Sequence, residues 1–216
     1  MDQDLMREID EEFASEQGPA VADPLEPYNR VVFSFNDALY TNVLTPVSQG
    51  YKAVVEDPFR QGIGNAFYNL RMPGRLVNNL LQGRLVRGAK EVAAFGVNTL
   101  LGFGGLLKPA QGIPALDPAP PEKDVGTTLA TWGIGEGLYI VWPVLGPSTL
   151  RSSAGMAGDY FLDPLTYYPE EQNLRWGISA SENLNELPSY MGLYRDMKED
   201  AIEPYTAVKD GNVQYR

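Results

Sequence analysis

Residues 92–107 read Val-Ala-Ala-Phe-Gly-Val-Asn-Thr-Leu-Leu-Gly-Phe-Gly-Gly-Leu-Leu, sixteen positions without a charge. Just before them, Arg84, Arg87, Lys90 and Glu91 give the same helical run a charged face, which ends at Val92. A helix that is apolar all round needs protein or lipid on every side. Gly102, Gly104 and Gly105 then stop it from continuing. Two readings stand on composition alone. One is a central core helix with a Gly-rich exit. The other is a re-entrant hairpin, or a flexible gate beside an apolar cavity, since irregular backbone at membrane depth is tolerated only against protein or a water-filled space.

Outward from this stretch, the pattern is helical in both directions. Asp23-Pro24 has the form of an N-cap followed by a first-turn proline, and Tyr28, Val32, Phe35, Leu39 and Val43 recur at steps of four and three. This helix is expected to stop before Pro46. Asp57-Pro58 repeats the start signal, with Ile63, Ala66, Phe67 and Leu70 on one face. Pro73 opens another helix carrying Leu76, Val77, Leu80 and Leu81, and Gly83 lies near its end. A longer one follows, with Leu85, Ala89, Val92, Gly96 and Leu100 on one side.

The second half is less regular. Residues 108–121 hold five prolines (Pro109, Pro114, Pro118, Pro120 and Pro121) and read as a loop. A short helix is expected from Asp124 to Trp132. Leu138 to Val144 fits either a strand or an interfacial segment. Gly146-Pro147-Ser148 is expected to open a helix reaching about Tyr160, with Ser148 as its cap. Another helix spans 171–187 and is expected to end at Pro188; residues 190–216 carry weaker helical signs. The fold class is therefore mainly α with little or no strand. Residues 1–22, polar and acidic, read as an N-terminal tether, and 23–216 as a single helical domain.

Composition excludes several chemistries. The chain has 216 residues and a formal net charge of -11. A polyanion would be repelled, and no basic stripe with interleaved aromatics is present, so nucleic acid is not a partner. There is no His and no Cys. That removes the common zinc ligands, thiol nucleophiles and the Ser-His-Asp arrangement. Ser148 and Ser153 lie outside any G-x-S-x-G pattern, and Asp159 and Asp163 are separated from helical continuation by Pro164. The Gly clusters at 62–64, 102–105 and 133–137 fit neither G-x-G-x-x-G nor a P-loop. No catalytic residue, metal site or cofactor is expected. The first residues, Met1-Asp2-Gln3-Asp4, are not an export signal, so either the protein is cytosolic or its signal has been removed. No stretch reaches the length of a membrane-spanning helix. Trp132, Tyr139 and Trp142 suit the level of lipid headgroups, or an ordinary core.

Several segments, taken in order, resemble the MlaA/VacJ family. Asp23-Pro24-Leu25-Glu26-Pro27-Tyr28-Asn29-Arg30, with Phe33, Phe35 and Asn36, is similar to the family's opening motif. Asn65, Asn69-Leu70, Pro73, Asn78 and Leu81-Gln82-Gly83 match its next helices, and Phe95, Asn98-Thr99 and Gly102-Phe103-Gly104-Gly105 its hairpin region. Gly126-Thr127-Thr128-Leu129, Trp132-Gly133 and Gly146-Pro147-Ser148-Thr149-Leu150-Arg151 match the block that follows. Two departures stand out: Arg87 is only an approximate match for the family's hairpin Arg, and Lys108-Pro109 follows the Gly-rich turn where the family often has Asp. The lipid-modified Cys of the family's mature N-terminus is also absent.

The resemblance implies a ring of amphipathic helices lying in the inner leaflet of a bacterial outer membrane, on its periplasmic face, around a central amphipathic channel. It implies passage of mislocalised phospholipid to a periplasmic lipid carrier, association with a trimeric porin, and no covalent chemistry. Phe95, Asn98, Leu100, Leu101, Gly102, Phe103, Gly104, Gly105, Leu106 and Leu107 then become the expected channel lining and gate. Trp132, Tyr139 and Trp142 become the expected membrane-interface residues. The alternative is a membrane-bound scaffold that moves no lipid; a lipid-hydrolysing enzyme is disfavoured by the missing His and Cys.

Overall fold

The computed structural model describes residues 22–116, 124–199 and 201–215, with side chains to residue 212. The expected tether falls almost wholly outside them, as do Pro118, Pro120 and Pro121. The elements run in chain order as α1 (Glu26–Leu39), a π-turn (Tyr40–Leu44), α2 (Thr45–Val54), α3 (Asp57–Leu70), α4 (Met72–Leu81) and α5 (Leu85–Leu101). A 3-10 turn (Pro109–Gly112) and α6 (Val125–Thr131) lead into strands β1 (Tyr139–Trp142) and β2 (Gly146–Thr149). Then come α7 (Leu150–Leu162), a 3-10 turn (Pro164–Thr166), α8 (Gln172–Glu199) and α9 (Pro204–Tyr215). The fold is mainly α, as the periodicity predicts, with one small antiparallel hairpin that pairs Tyr139 with Thr149 and Trp142 with Gly146.

Four boundaries differ from expectation, each for a local reason. Asp23 is not the first cap, because the helix begins at Glu26; the Asp23 carboxylate instead accepts from Asn29 Nδ2 and from the Tyr205 hydroxyl. Pro46 does not end the first helical run. The π-turn before it closes with Thr45 N–H donating to Tyr40 O, and Pro46 falls in the first turn of α2, where a missing N–H costs little. Gly146-Pro147-Ser148 is strand rather than helix start; Thr149 caps α7 by accepting from Ser152 N at 3.1 Å. Pro188 lies inside α8, whose two halves are each held by tertiary contacts. Asn185 bonds Arg60 O before it, and Met191 and Tyr194 enter the core after it.

Among the described residues the apolar core is small. Val32, Tyr139, Val141 and Tyr205 form one cluster, and Tyr40, Met191, Tyr194 and Val208 a second, with Phe33 packed against both. Much of the remaining interior is amide. Asn29, Asn36, Asn69, Asn78, Asn79, Asn98 and Asn185 are buried. The two on α1 hold the sheet. Asn29 donates to Tyr139 O (3.2 Å) and accepts from Val141 N (2.8 Å). Asn36 donates to Trp142 O (2.9 Å) and accepts from Val144 N (2.7 Å). Asn29 therefore bonds the outer edge of β1, while Asn36, two helical turns on, bonds the end of the strand and the turn that follows it. Asn29 satisfies backbone groups that a third strand would otherwise pair, and Asn36 satisfies those of the turn leaving β1.

The apolar stripes read from the sequence mostly point outward. On α5, Leu85 (66% exposed) and Leu100 (83% exposed) face away, while Gly88, Glu91, Ala94 and Asn98 form the inner face. On α1, Tyr28 and Phe35 of the stripe are exposed, while its Val32 is buried with Asn29 and Asn36. Leu80 and Leu81 on α4 are about half exposed while Asn78 and Asn79 are buried. Exposed apolar surface on this scale is unusual for a protein surrounded only by water.

Asn29→Ala strands Tyr139 O and Val141 N in a site closed to water, and should lower unfolding free energy by about 2–4 kcal/mol. Asn36→Ala, at a more open edge, should cost about half as much. Chemical-denaturation midpoints of the two variants check the order.

Candidate functional site

A cavity of about 770 Å³ lies among α3, α4, α7, α8 and the segments at Lys108 and Asp124. Its wall is polar and charged. Arg71, at the α3–α4 junction, reaches Glu182 on α8 (2.8 Å) and Asp163 at the end of α7 (3.0 Å). Arg75 on α4 pairs with Glu91 on α5 (3.2 Å) and donates to Tyr68 O. The Arg75 guanidinium lies 3.6 Å from the centre of the Tyr68 ring, and Lys108 Nζ lies 3.7 Å from the same centre. Such cation–ring contacts fix long side chains that would otherwise be loose.

The acidic contribution comes from different stretches. Asp124 caps α6 by accepting from Thr127 N (2.6 Å), and Asp159 on α7 accepts from Val125 N (2.9 Å). Asp159 therefore pins α7 to the start of α6, while Asp124 closes that start itself. Asp163 Oδ1 accepts from Leu165 N. Burial pushes the Glu182 carboxyl up to about 7, with Glu186 and Asp163 adding to the shift and the Arg71 guanidinium opposing it. Met156, Tyr160 and Leu162 supply apolar lining. The cavity is thus amphipathic, with charge of both signs.

The expected gate is placed elsewhere and is more ordered than its glycines suggest. Gly104 N donates to Thr99 O (3.0 Å), Gly105 N to Asn98 O (3.1 Å) and Leu107 N to Gly102 O (2.9 Å), which closes the end of α5 as a tight cap. Two asparagines of α3 hold this turn: Asn65 donates to Leu106 O and Asn69 to Thr99 Oγ1. Gly105 has φ +96, and a Cβ there would sit 2.7 Å from the Asn69 side chain, so no other residue fits. Gly102 is equally closed, with Asn98 O and Leu107 O both 2.3 Å from a built Cβ; Gly104 faces open space. Asn98 is buried, its Oδ1 accepting from Ala110 N, and Phe95 is half-buried. Leu100, Leu101, Phe103, Leu106 and Leu107 are exposed, and Phe103 has φ 53, which turns its ring outward on the tip. The turn borders the cavity only through Lys108.

The expected interface residues separate. Trp132 is exposed, its Nε1 donating to Leu81 O. Trp142 is half-buried and donates to Ser153 Oγ at 2.9 Å. Tyr139 is fully buried in the core beside Tyr205, so an interfacial place for it is corrected: strand alternation turns residues 139 and 141 inward. Ser153 is occupied by the Trp142 indole and Ser148 is buried in β2, so neither serine is presented as a nucleophile. Among the described residues, no group of three or more carboxylates is arranged to hold a metal, and no helix is long and apolar enough to cross a membrane.

Sequence reasoning missed the cavity because its charges arrive from separate stretches, none a motif by itself. The signal that could have found them is the isolation of Arg71, Arg75 and Lys108 next to otherwise apolar helices.

Comparison with known proteins agrees with this architecture. The profile of the MlaA lipoprotein family matches residues 21–216. The "Intermembrane phospholipid transport system lipoprotein MlaA" of Escherichia coli K12 is 32% identical over 196 residues, covering 89% of this chain and 76% of that protein. The protein of the same name from Haemophilus influenzae is 26% identical over 209 residues, covering 90% and 78%. An uncharacterised protein of Rickettsia bellii is 29% identical over 197 residues, covering 91% and 76%. A solved structure described as "Structural basis for maintenance of bacterial outer membrane lipid asymmetry" superposes with a TM-score of 0.71 at 33% identity, covering 90% of this chain and 96% of that one. With the family profile spanning the whole folded region, this chain belongs to the MlaA lipoprotein family.

Proposed function

We propose that this protein is a component of phospholipid transport between membranes, seated in the inner leaflet of an outer membrane, which maintains lipid asymmetry by passing mislocalised phospholipid through its charged cavity. The observation that carries the reading is an inside-out distribution: apolar stripes exposed on α1, α4 and α5, and a charged cavity of about 770 Å³ within. Helices that lie in a membrane plane present their apolar faces to acyl chains. A polar interior gives a lipid headgroup a route out of hydrocarbon, where an unpaired charge is costly. The relatives named as intermembrane phospholipid transport lipoproteins support the same assignment.

The exposed tip at Leu100, Leu101, Phe103, Leu106 and Leu107 is the gate in this reading, touching lipid while Asn65 and Asn69 anchor its base. A periplasmic lipid carrier takes the phospholipid onward and a trimeric porin holds the protein in place. No covalent step is involved. A scaffold that moves no lipid is the competing reading, and transfer of labelled phospholipid from porin-containing vesicles to the carrier separates the two. Transfer that depends on the protein supports passage; transfer unchanged without it supports the scaffold.

Phe103→Asp combined with Leu107→Asp should leave folding intact, because both side chains are exposed, and should raise outer-leaflet phospholipid in cells carrying this copy alone. Normal asymmetry with the double variant would sink the gate assignment. Gly105→Ala should instead destabilise the protein, since it forces the turn off Asn69, whereas Gly104→Ala should cost only about 1 kcal/mol of left-handed backbone strain.

Cavity charge is also testable by pH. Between its ordinary value of 4.5 and about 7, the Glu182 carboxyl keeps a proton in the folded chain that the unfolded chain releases. Stability therefore falls as pH rises through that window. Glu182→Gln removes the fall, so denaturation midpoints at pH 5 and pH 8 should differ less in the variant than in the parent.

A further inference from the structure

Taking the cavity as the route of a lipid headgroup, we infer that it selects zwitterionic phospholipids over anionic ones. The inference rests on the proposed function and adds a substrate class to it. Among the described residues, three cationic side chains line the cavity: Arg71, Arg75 and Lys108. Against them stand five carboxylates, Asp124, Asp159, Asp163, Glu182 and Glu186. With all eight of these groups ionised, the described lining is two charges negative. Glu91, just behind the wall and paired with Arg75, adds one more.

The two signs come from different parts of the chain. The cations belong to the α3–α4 region and to Lys108 after the Gly-rich turn, with Arg75 and Lys108 both on the Tyr68 ring. The carboxylates belong to the α6 cap, α7 and α8. Arg71 is where the two sets meet, bridging Asp163 and Glu182. A headgroup with a phosphate and an ammonium presents the same two signs a short distance apart. Its phosphate can meet Arg75 and Lys108 while its ammonium meets carboxylate, through charge-assisted hydrogen bonds. An anionic headgroup, with a phosphate and hydroxyls, can donate hydrogen bonds to the carboxylates but brings no positive charge to them. The whole chain, at -11, repels it as well.

The test is competition. Purified full chain in neutral-detergent micelles carrying equal amounts of phosphatidylethanolamine and phosphatidylglycerol is analysed by native mass spectrometry for retained lipid. The parent should retain the ethanolamine lipid in about fivefold excess, the order set by one uncompensated unit charge a few ångströms away across water. Glu186→Gln should pull the ratio towards one, and Lys108→Gln should push it further from one. The opposite signs guard against a variant that merely folds poorly. A ratio near one in all three proteins, or an excess of phosphatidylglycerol in the parent, overturns the preference while leaving lipid passage standing. No retained lipid of either kind overturns the cavity reading itself.

Discussion

The two amide clamps from α1 onto the β1–β2 hairpin are the constraint on which the rest of the structure depends. Asn29 and Asn36, seven residues apart, hold the outer edge of β1 at Tyr139 and Val141 and the turn that follows it at Trp142 and Val144. That contact fixes the hairpin, and the hairpin brings Tyr139 and Val141 against Val32 and Tyr205 to make one of the two apolar clusters. Asn29 also reaches Asp23, which accepts from Tyr205 on α9, so the first and last helices close on the same point. The same device recurs away from the core: Asn98 holds Ala110, Asn185 holds Arg60 and Tyr51, and Asn78 accepts from Thr128. Directed amide bonds do here what apolar packing does in most domains of this size.

That substitution has a physical logic. Helices whose apolar stripes face outward cannot spend those side chains on a core, so their inner faces need another cohesive chemistry. Amides bonded to backbone supply it without placing net charge inside, and each is costly to lose because it leaves buried backbone unsatisfied. The arrangement leaves room among α3, α4, α7 and α8 for a cavity that a packed apolar core would have filled. Its charges serve structure as well as lining: Asp124 caps α6, Asp159 pins α6 to α7, and Arg71 ties the α3–α4 corner to α7 and α8.

Helix positions were legible in the sequence, since the 3.6-residue period and the Asp-Pro and Pro starts placed α3, α4 and α5 closely. Boundaries failed where tertiary contacts overrode local signals, at Pro46 and Pro188, and where Gly146-Pro147 began a strand. The inner face of each helix was not legible. Periodicity locates an apolar stripe but does not say whether protein or lipid covers it, and on α5 the stripe through Leu85 and Leu100 points out. The Gly-rich turn after α5 was visible as a break, but its hold on Asn65 and Asn69 was not, because those partners lie some thirty to forty residues away. The cavity was invisible for the same reason, its charges being spread over five stretches.

The most direct test of the account is a depth profile by spin labelling. The chain has no native Cys, so single cysteines can be labelled cleanly at Leu85 and Leu100, on the outward stripe, and at Met156, on the cavity wall. In vesicles containing the membrane-bound protein, the labels at 85 and 100 should be relaxed strongly by oxygen and weakly by a water-soluble nickel chelate, while the label at 156 should show the reverse. Equal access of the nickel chelate to all three positions would contradict a protein that turns its apolar faces to lipid and keeps its charge within.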